Sequence, residues 1–230
     1  MYRGRRILAV VPARGGSVSV PRKNVRDVGG APLLVHTLLQ AAQVPEIDLT
    51  VVSTDDAEIK AVAQGAGARV IDRPAELATA EARTEPALLH ALDALALAGE
   101  PAFDVLLCLE PTSPLRRPDT VAAAIRLLVD RDGPSLMTVI ENRSNIGRIE
   151  DDVFRPLFPG LARRRQDRAP LYVESGTVYA CRVDHLRAEG TLVAAEWLAL
   201  PVPEDEAVDI NSETDLAIAE ALLGARERQG

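Results

Sequence analysis

The sequence predicts an α/β protein with a Rossmann-like, mostly parallel sheet and helices on both faces. Three observations lead there. From residue 7 to residue 140, short apolar runs alternate with Ala/Leu-rich amphipathic stretches, the order that βαβ units produce. The first apolar run, residues 7–11, does not alternate with polar residues, as expected of a strand covered on both sides. Hydrophobic residues make up 47% of the chain but aromatics only 3%, so Ala, Leu and Val must fill the core between helices and sheet.

The elements follow in order. After the strand at 7–11, residues 32–42 form a helix with Pro32 near its start, where a missing N–H costs nothing. Residues 49–53 form a second strand. It runs into Asp55 and Asp56, which can cap a helix over 57–66 and suit its positive end. A short strand at 69–71, a helix at 85–97, a strand at 105–109, a helix at 118–129 and a strand at 135–140 continue the alternation. Residues 141–170 break it: the stretch is polar, rich in Arg, and carries Phe154 and Phe158, which reads as an inserted arm. Strand character returns at 171–173, 177–183 and 197–200, and a helix near 214–226, capped by Ser212 or Thr214, closes the chain. With no internal repeat or low-complexity linker, residues 1–230 read as one domain with one insertion. In such a sheet the loops after Val11, Ser53, Ile71 and Leu109 should meet in one cleft beyond the carboxyl ends of the strands.

Composition excludes several classes. A net charge of −8 argues against nucleic acid or an anionic membrane as partner, since both require basic surfaces. The basic N-terminus leads into a strand too short to cross a bilayer, so a cytoplasmic location is expected. Cys108 and Cys181 sit in apolar runs and read as small core residues. His36, His90 and His185 lie on helical stretches without the nucleophile or carboxylate pattern of a triad, and read as structural.

The segment Val11-Pro-Ala-Arg-Gly-Gly-Ser-Val-Ser-Val-Pro-Arg-Lys-Asn24 is the strongest local signal of chemistry. Gly15 and Gly16 permit backbone N–H groups to approach phosphate oxygens, while Arg14 and Lys23 can neutralise them with a fork and a mobile point charge. The segment is neither a Walker A loop nor a Gly-x-Gly-x-x-Gly turn. A solvated Gly/Ser-rich surface turn is the competing reading.

The same segment resembles the signature of the acylneuraminate cytidylyltransferase (CMP-sialic acid synthetase) family, whose usual form is Pro-Ala-Arg-x-Gly-Ser-Lys-Gly-x-Pro-x-Lys-Asn. Further segments are similar in family order: Val52-Ser53-Thr54-Asp55, Arg73-Pro74-Ala75-Glu76-Leu77-Ala78, Pro111-Thr112-Ser113-Pro114-Leu115-Arg116, Arg165-Gln166-Asp167 followed by Gly176-x-x-Tyr179, and Val208-Asp209-Ile210-Asn211-Ser212. The resemblance covers residues 7 to about 223. It implies a nucleotide-diphospho-sugar transferase type of fold, with 141–190 as an arm for dimerisation and sugar binding. It also implies that the anomeric hydroxyl of a sialic acid-like sugar attacks the α-phosphorus of CTP with loss of pyrophosphate, assisted by Mg²⁺, in a cytoplasmic homodimer.

On that resemblance Arg14, Lys23 and Asp209 would be catalytic. Ala13, Arg14, Gly15, Gly16, Ser17, Lys23, Asn24, Arg73 and Thr84 would bind the nucleotide, and Asp209 with Asn211 would hold the metal. Glu110, Thr112, Ser113, Arg148, Arg165, Gln166 and Tyr179 would face the sugar. Each has a plainer alternative. Asp209 could cap a turn, Thr112 and Ser113 could be turn formers between prolines, Arg165 could be one of a solvated run of arginines, and Tyr179 could be core with its hydroxyl at an edge.

The pattern is also broken in four places. Val18 and Ser19 stand where the family has Lys and Gly. Asn211 replaces a second Asp, Glu110 replaces Gln, and Val173-Glu174-Ser175-Gly176 replaces Arg-x-Asn-Gly. These departures keep two alternatives open: another nucleotide or acceptor on the same fold, such as GTP or a sugar phosphate, and a catalytically weakened nucleotide-binding homologue.

Overall fold

A computed structural model describes residues 1–16 and 20–228; Ser17, Val18 and Ser19 lie outside them. Strand β1 (Ile7–Pro12) leads through a 3₁₀ turn at Lys23–Val25 and a two-residue ribbon, β2 (Asp27–Val28) and β3 (Ala31–Pro32), into helix α1 (Leu33–Ala42). Then come β4 (Leu49–Thr54), α2 (Ala57–Gly65), β5 (Arg69–Asp72), α3 (Thr84–Leu97), β6 (Val105–Cys108), α4 (Pro118–Asp130) and β7 (Ser135–Asn142). A hairpin of β8 (Gly147–Glu150) and β9 (Val153–Pro156) precedes the long β10 (Leu171–Arg182). Helix α5 (Val183–Glu189), β11 (Leu198–Pro201) and α6 (Glu213–Glu227) complete the chain.

Seven strands form one sheet in the order β11-β7-β10-β6-β1-β4-β5. Neighbours run parallel except that β10 is antiparallel to both β7 and β6. The alternating side chains of β1 explain why the strand is apolar throughout. Ile7, Ala9 and Val11 meet Leu34 and Leu38 of α1, Ile59 of α2 and Ile125 of α4 in one buried layer. Leu8 and Val10 face the other way, against Leu88, Leu92 and Leu95 of α3 and Leu186 of α5. Both cysteines are buried and free, as their apolar settings predict. Asp56 caps α2 by accepting from the N–H groups of Glu58 and Ile59, and Ser212 caps α6 by accepting from that of Asp215.

The expected arm at 141–190 needs narrower bounds. β7 continues to Asn142 and β10 begins at Leu171, so only residues 143–170 leave the sheet. The two strands expected at 171–173 and 177–183 are one, interrupted by a bulge. Ser175 pairs with Thr138 and Tyr179 with the adjacent Met137, which leaves 176–178 looped out. Polar residues inside the bulge concealed its continuity in the sequence. Thr138 satisfies it from the sheet, its hydroxyl accepting from Val178 N–H at 3.0 Å and lying 3.0 Å from the Ser175 carbonyl.

Candidate active site

The carboxyl ends of β1, β5 and β6 open onto a cleft of about 430 Å³ lined by Pro12, Arg14, Lys23, Asn24, Arg73, Leu77, Ala82, Arg83, Thr84, Glu110, Pro111, Thr112 and Asn211. The parallel order of β6, β1, β4 and β5 gathers these loops at one edge.

Arg73 is the most firmly held of the cations that line the cleft. It is buried, and its guanidinium donates to the Ser53 hydroxyl at 3.1 Å and the Ser53 carbonyl at 2.6 Å. Burial lowers its pKa, an effect partly offset by Asp55. Arg14 donates to the Thr79 carbonyl, and the Asn24 side-chain amide donates to the Arg14 carbonyl at 3.0 Å. These bonds tie the first loop to the segment after β5. Ala13 is fully buried, and its N–H donates to the Ser53 carbonyl at 3.0 Å, so it anchors the loop.

Gly15 is required for a reason the sequence did not suggest. A Cβ there would lie 2.6 Å from an Asp56 carboxylate oxygen, and the Gly15 N–H donates to Asp55 Oδ1 at 3.1 Å. The glycine lets the loop pass over the capped end of α2. Gly16 is open and exposed, with nothing within 4 Å of an added Cβ. Arg22 stands against Glu58.

Lys23 crosses to the far side of the cleft, where its ammonium donates to the Ile210 carbonyl at 2.7 Å. Desolvation lowers its pKa, while Asp209 and Glu110 oppose that shift. The Ile210 N–H donates to the Thr112 carbonyl at 2.9 Å, stitching residues 209–211 to the loop after β6. Asp209 Oδ2 accepts from the Asn211 side-chain amide at 2.6 Å, whereas Asp209 Oδ1 is buried without a partner, as is Thr112 Oγ1. Ser113 Oγ donates to the Gly176 carbonyl at 3.1 Å. A Cβ on Gly176 would stand 3.6 Å from that hydroxyl and 3.9 Å from the Asp209 carboxyl carbon, so the β10 bulge brings Gly176 against both. The Glu110 carboxyl is held above its usual range, first by burial and then by Asp209. Tyr179 donates to Glu174 Oε1 at 2.6 Å, and burial followed by that bond raises its pKa.

The cleft lining thus includes Arg14, Lys23, Asn24, Arg73 and Thr84 together with Glu110, Thr112 and Asn211. It does not include Ala13, Gly15, Gly16, Ser113, Tyr179 or Asp209, nor does it include Arg148, Arg165 or Gln166. Arg148 is exposed on the β8–β9 hairpin, and Arg165 and Gln166 are exposed in a 3₁₀ turn, Arg165–Asp167.

Two contributors went unread in the sequence. Arg83, with Leu77 and Ala82, lines the cleft beside Thr84; adjacency to Thr84 was the available signal. Arg116 is fully buried, with no carboxylate in direct contact. It donates to the carbonyls of Thr177 and Glu110 (the latter at 2.9 Å) and to Thr37 Oγ1 and Gln40 Oε1, each at 3.3 Å. Burial pushes its pKa down to about 10, so it stays charged at neutral pH.

An α/β sheet that gathers Arg14, Lys23, Arg73, Glu110 and Asn211 in one cleft at the carboxyl ends of its strands has the arrangement of a nucleotidyltransferase-type protein. The chain belongs to the cytidylyltransferase family, whose pattern it matches over residues 8–179. It is 31% identical to the CMP-N,N'-diacetyllegionaminic acid synthase of Legionella pneumophila, over 95% of this chain and 96% of that protein. It is 26% identical to the N-acylneuraminate cytidylyltransferase of Escherichia coli, over 97% of this chain and 54% of the other. Among solved structures, a CMP:2-keto-3-deoxy-manno-octonic acid synthetase complexed with CTP superimposes with a TM-score of 0.71 at 19% identity, covering 96% of this chain and 99% of that one.

Proposed function

We propose that the protein transfers CMP from CTP to the anomeric hydroxyl of a nonulosonic acid, a sialic, legionaminic or pseudaminic type of sugar, releasing pyrophosphate. The observation that carries this reading is a cleft that gathers the phosphate-compatible cations Arg14, Lys23 and Arg73 with Asn211. Asn211 donates to Asp209, which lies outside the lining and has one carboxylate oxygen without a partner among the described residues. Similarity to enzymes named for legionaminic, sialic and pseudaminic acids supports the sugar class.

In this reading Arg73, Asn24 and Thr84 position the base and ribose, and Arg14 and Lys23 hold the triphosphate in line. The sugar hydroxyl oxygen bonds to the α-phosphorus, the bond from that phosphorus to the bridging oxygen breaks, and pyrophosphate leaves while the hydroxyl proton is released. Thr112, Ser113 and Tyr179 are assigned to the acceptor end; the Thr112 carbonyl accepts from the Ile210 N–H and the Ser113 hydroxyl donates to the Gly176 carbonyl, while the Thr112 hydroxyl has no partner among the described residues. The residues present fit Mg²⁺. Asp209 Oδ1 is a buried hard oxygen with no partner, and the amide of Asn211 donates to Asp209, leaving its own oxygen to accept. When bound there, Mg²⁺ would neutralise phosphate charge, alongside one or two protein oxygens, phosphate oxygens and water.

Pyrophosphate release is the test, with CTP and GTP offered separately against N-acetylneuraminic, legionaminic and pseudaminic acids. Release is expected only with CTP and one of these sugars together. Release with GTP, or with CTP only when a sugar phosphate is offered as acceptor in place of these sugars, would replace the proposed substrates.

The excursion at 143–170 is read as an arm onto a second subunit, bringing Arg148, Arg165 and Gln166 to a partner's acceptor end. Ile149, Phe154, Leu157 and Phe158 are exposed on it, and Tyr172 beside it, an apolar grouping that favours association. Light scattering should return twice the 24.7 kDa chain mass; a monomer at micromolar concentration would contradict this. Among the described residues no helix is long and apolar enough to cross a membrane, and the need for CTP suits an enzyme of the cytoplasm.

A further inference from the structure

Three stretches without regular pairing meet at the acceptor end: the turn 110–116 after β6, the bulge at 176–178 in β10, and residues 209–211. Glu110, Pro111 and Thr112 of the first line the cleft, as does Asn211 of the third. Backbone of this kind has no ladder to hold it and depends on donors from elsewhere. The Ile210 N–H serves the Thr112 carbonyl.

Arg116 serves the other two stretches together. It is fully buried and lies outside the cleft lining. Its Nη2 donates to the Glu110 carbonyl at 2.9 Å, which closes the turn on its own side chain, and its Nε donates to the Thr177 carbonyl in the bulge. The Ser113 hydroxyl donates to the preceding bulge carbonyl, Gly176, at 3.1 Å, so the turn holds two consecutive carbonyls of β10. On the far side Nη1 donates to Thr37 Oγ1 and Gln40 Oε1 of α1, each at 3.3 Å, and Gln40 Nε2 donates back to the Pro114 carbonyl at 2.5 Å. All four acceptors of the guanidinium are neutral oxygens. Burying a cation in this way costs more desolvation than an apolar side chain of similar volume, so packing alone is a poor account of an arginine here. What an apolar side chain lacks is the rigid fork, which fixes the direction of carbonyls on two different segments.

The geometry points to Arg116 as a positioning residue for the acceptor sugar. It sets the Glu110–Thr112 wall against the β10 bulge, and thereby the place from which the sugar hydroxyl meets the α-phosphorus. It acts through the Glu110 and Thr177 carbonyls. The proposal rests on the reading of the cleft given above. An error of about 1 Å in such a wall can cost about 10²-fold in rate.

The test is a split between constants, read well below the melting temperature, with calorimetric CTP binding counting the folded molecules. Arg116→Lys keeps the charge but cannot hold both carbonyls in one plane. It should raise the KM of the sugar about tenfold and lower kcat by about 10–100-fold, with CTP affinity unchanged. Gln40→Leu keeps Arg116 but frees its far side and the Pro114 carbonyl, and should move the same two constants the same way by a smaller factor. Leu128→Ala is the control for stability. Leu128 is buried on α4 beside Asp104 and Val105, at the amino end of β6 and away from the cleft. Its truncation should lower the melting temperature and leave KM and kcat per folded molecule as in the wild type.

Arg116→Lys binding CTP at full stoichiometry with a wild-type KM and kcat would overturn the proposal and leave Arg116 a structural role alone. An equal rise of the sugar KM in Leu128→Ala would overturn it too, because any loss of stability would then loosen the acceptor end. Should Arg116→Lys bind no CTP, Gln40→Leu decides, and an unchanged sugar KM there overturns the proposal. Wild type that binds CTP but turns over none of the nonulosonic acids would contradict the proposed function itself, and this proposal with it.

Discussion

Asp209→Ala is expected to lower Mg²⁺-dependent turnover by about 10²–10³-fold, the range seen when one group that stabilises developing charge is removed. The structure gives this substitution an unusual asymmetry. Asp209 Oδ1 is buried and makes no hydrogen bond, so it contributes little to folding and carries a desolvation cost. Oδ2 accepts only from Asn211, a residue close enough to the surface to bond water instead. The fold should therefore survive, with a melting temperature near that of the wild type. Steady-state pyrophosphate release and a thermal scan on the same preparation check both halves. Unchanged turnover would remove Asp209 from the metal site, and a collapse in stability would show that its main role is structural.

The second large effect falls on stability. Arg116→Ala should destabilise the protein by about 3–5 kcal/mol, the combined cost of leaving several buried acceptors unpaired and of the cavity left by a large side chain. The guanidinium joins three parts of the fold: the loop after β6 through the Glu110 carbonyl, the β10 bulge through the Thr177 carbonyl, and α1 through Thr37 and Gln40. Its loss strands those acceptors in the interior and leaves a cavity behind the acceptor end. At about 2–4 °C per kcal/mol for a chain of this size, the melting temperature should fall by roughly 6–20 °C. Arg116→Lys keeps the charge but not the fork and should fall between the two. A shift of only about 2 °C would mean that water replaces the guanidinium without difficulty.

Much of this arrangement was legible in the residues. The uninterrupted apolar character of residues 7–11 identified a central strand, which β1 is, with β6 and β4 on its two sides. The loop from Pro12 to Asn24 announced a charged turn after that strand, and Arg14, Lys23 and Asn24 do line the cleft. Asp56 and Ser212 behaved as the helix caps their residue types suggest. What was hidden depended on tertiary contact. The bulge in β10 reads as a gap between two strands because Glu174, Ser175 and Gly176 interrupt the apolar run, and its polar groups are satisfied by Thr138 on the neighbouring strand together with Ser113 and Arg116. Arg116 closes the Pro111–Arg116 segment without a role that the sequence assigns, yet the fold encloses it completely. Gly15 was read as room for a phosphate, while its close approach is to Asp56. Arg148, Arg165 and Gln166 came forward through motif resemblance alone, and their exposed places outside the cleft of this chain follow from an excursion whose path no local pattern encodes.

The central claim is that the α-phosphoryl group of CTP ends on a sugar oxygen. CTP labelled at the α-phosphate, incubated with Mg²⁺ and a nonulosonic acid, tests it in one reaction. The account predicts that the label appears in a CMP-sugar and that its yield matches the pyrophosphate released. Label recovered as free CMP from the outset, or left in CTP with all of the nonulosonic acids tried, would contradict it.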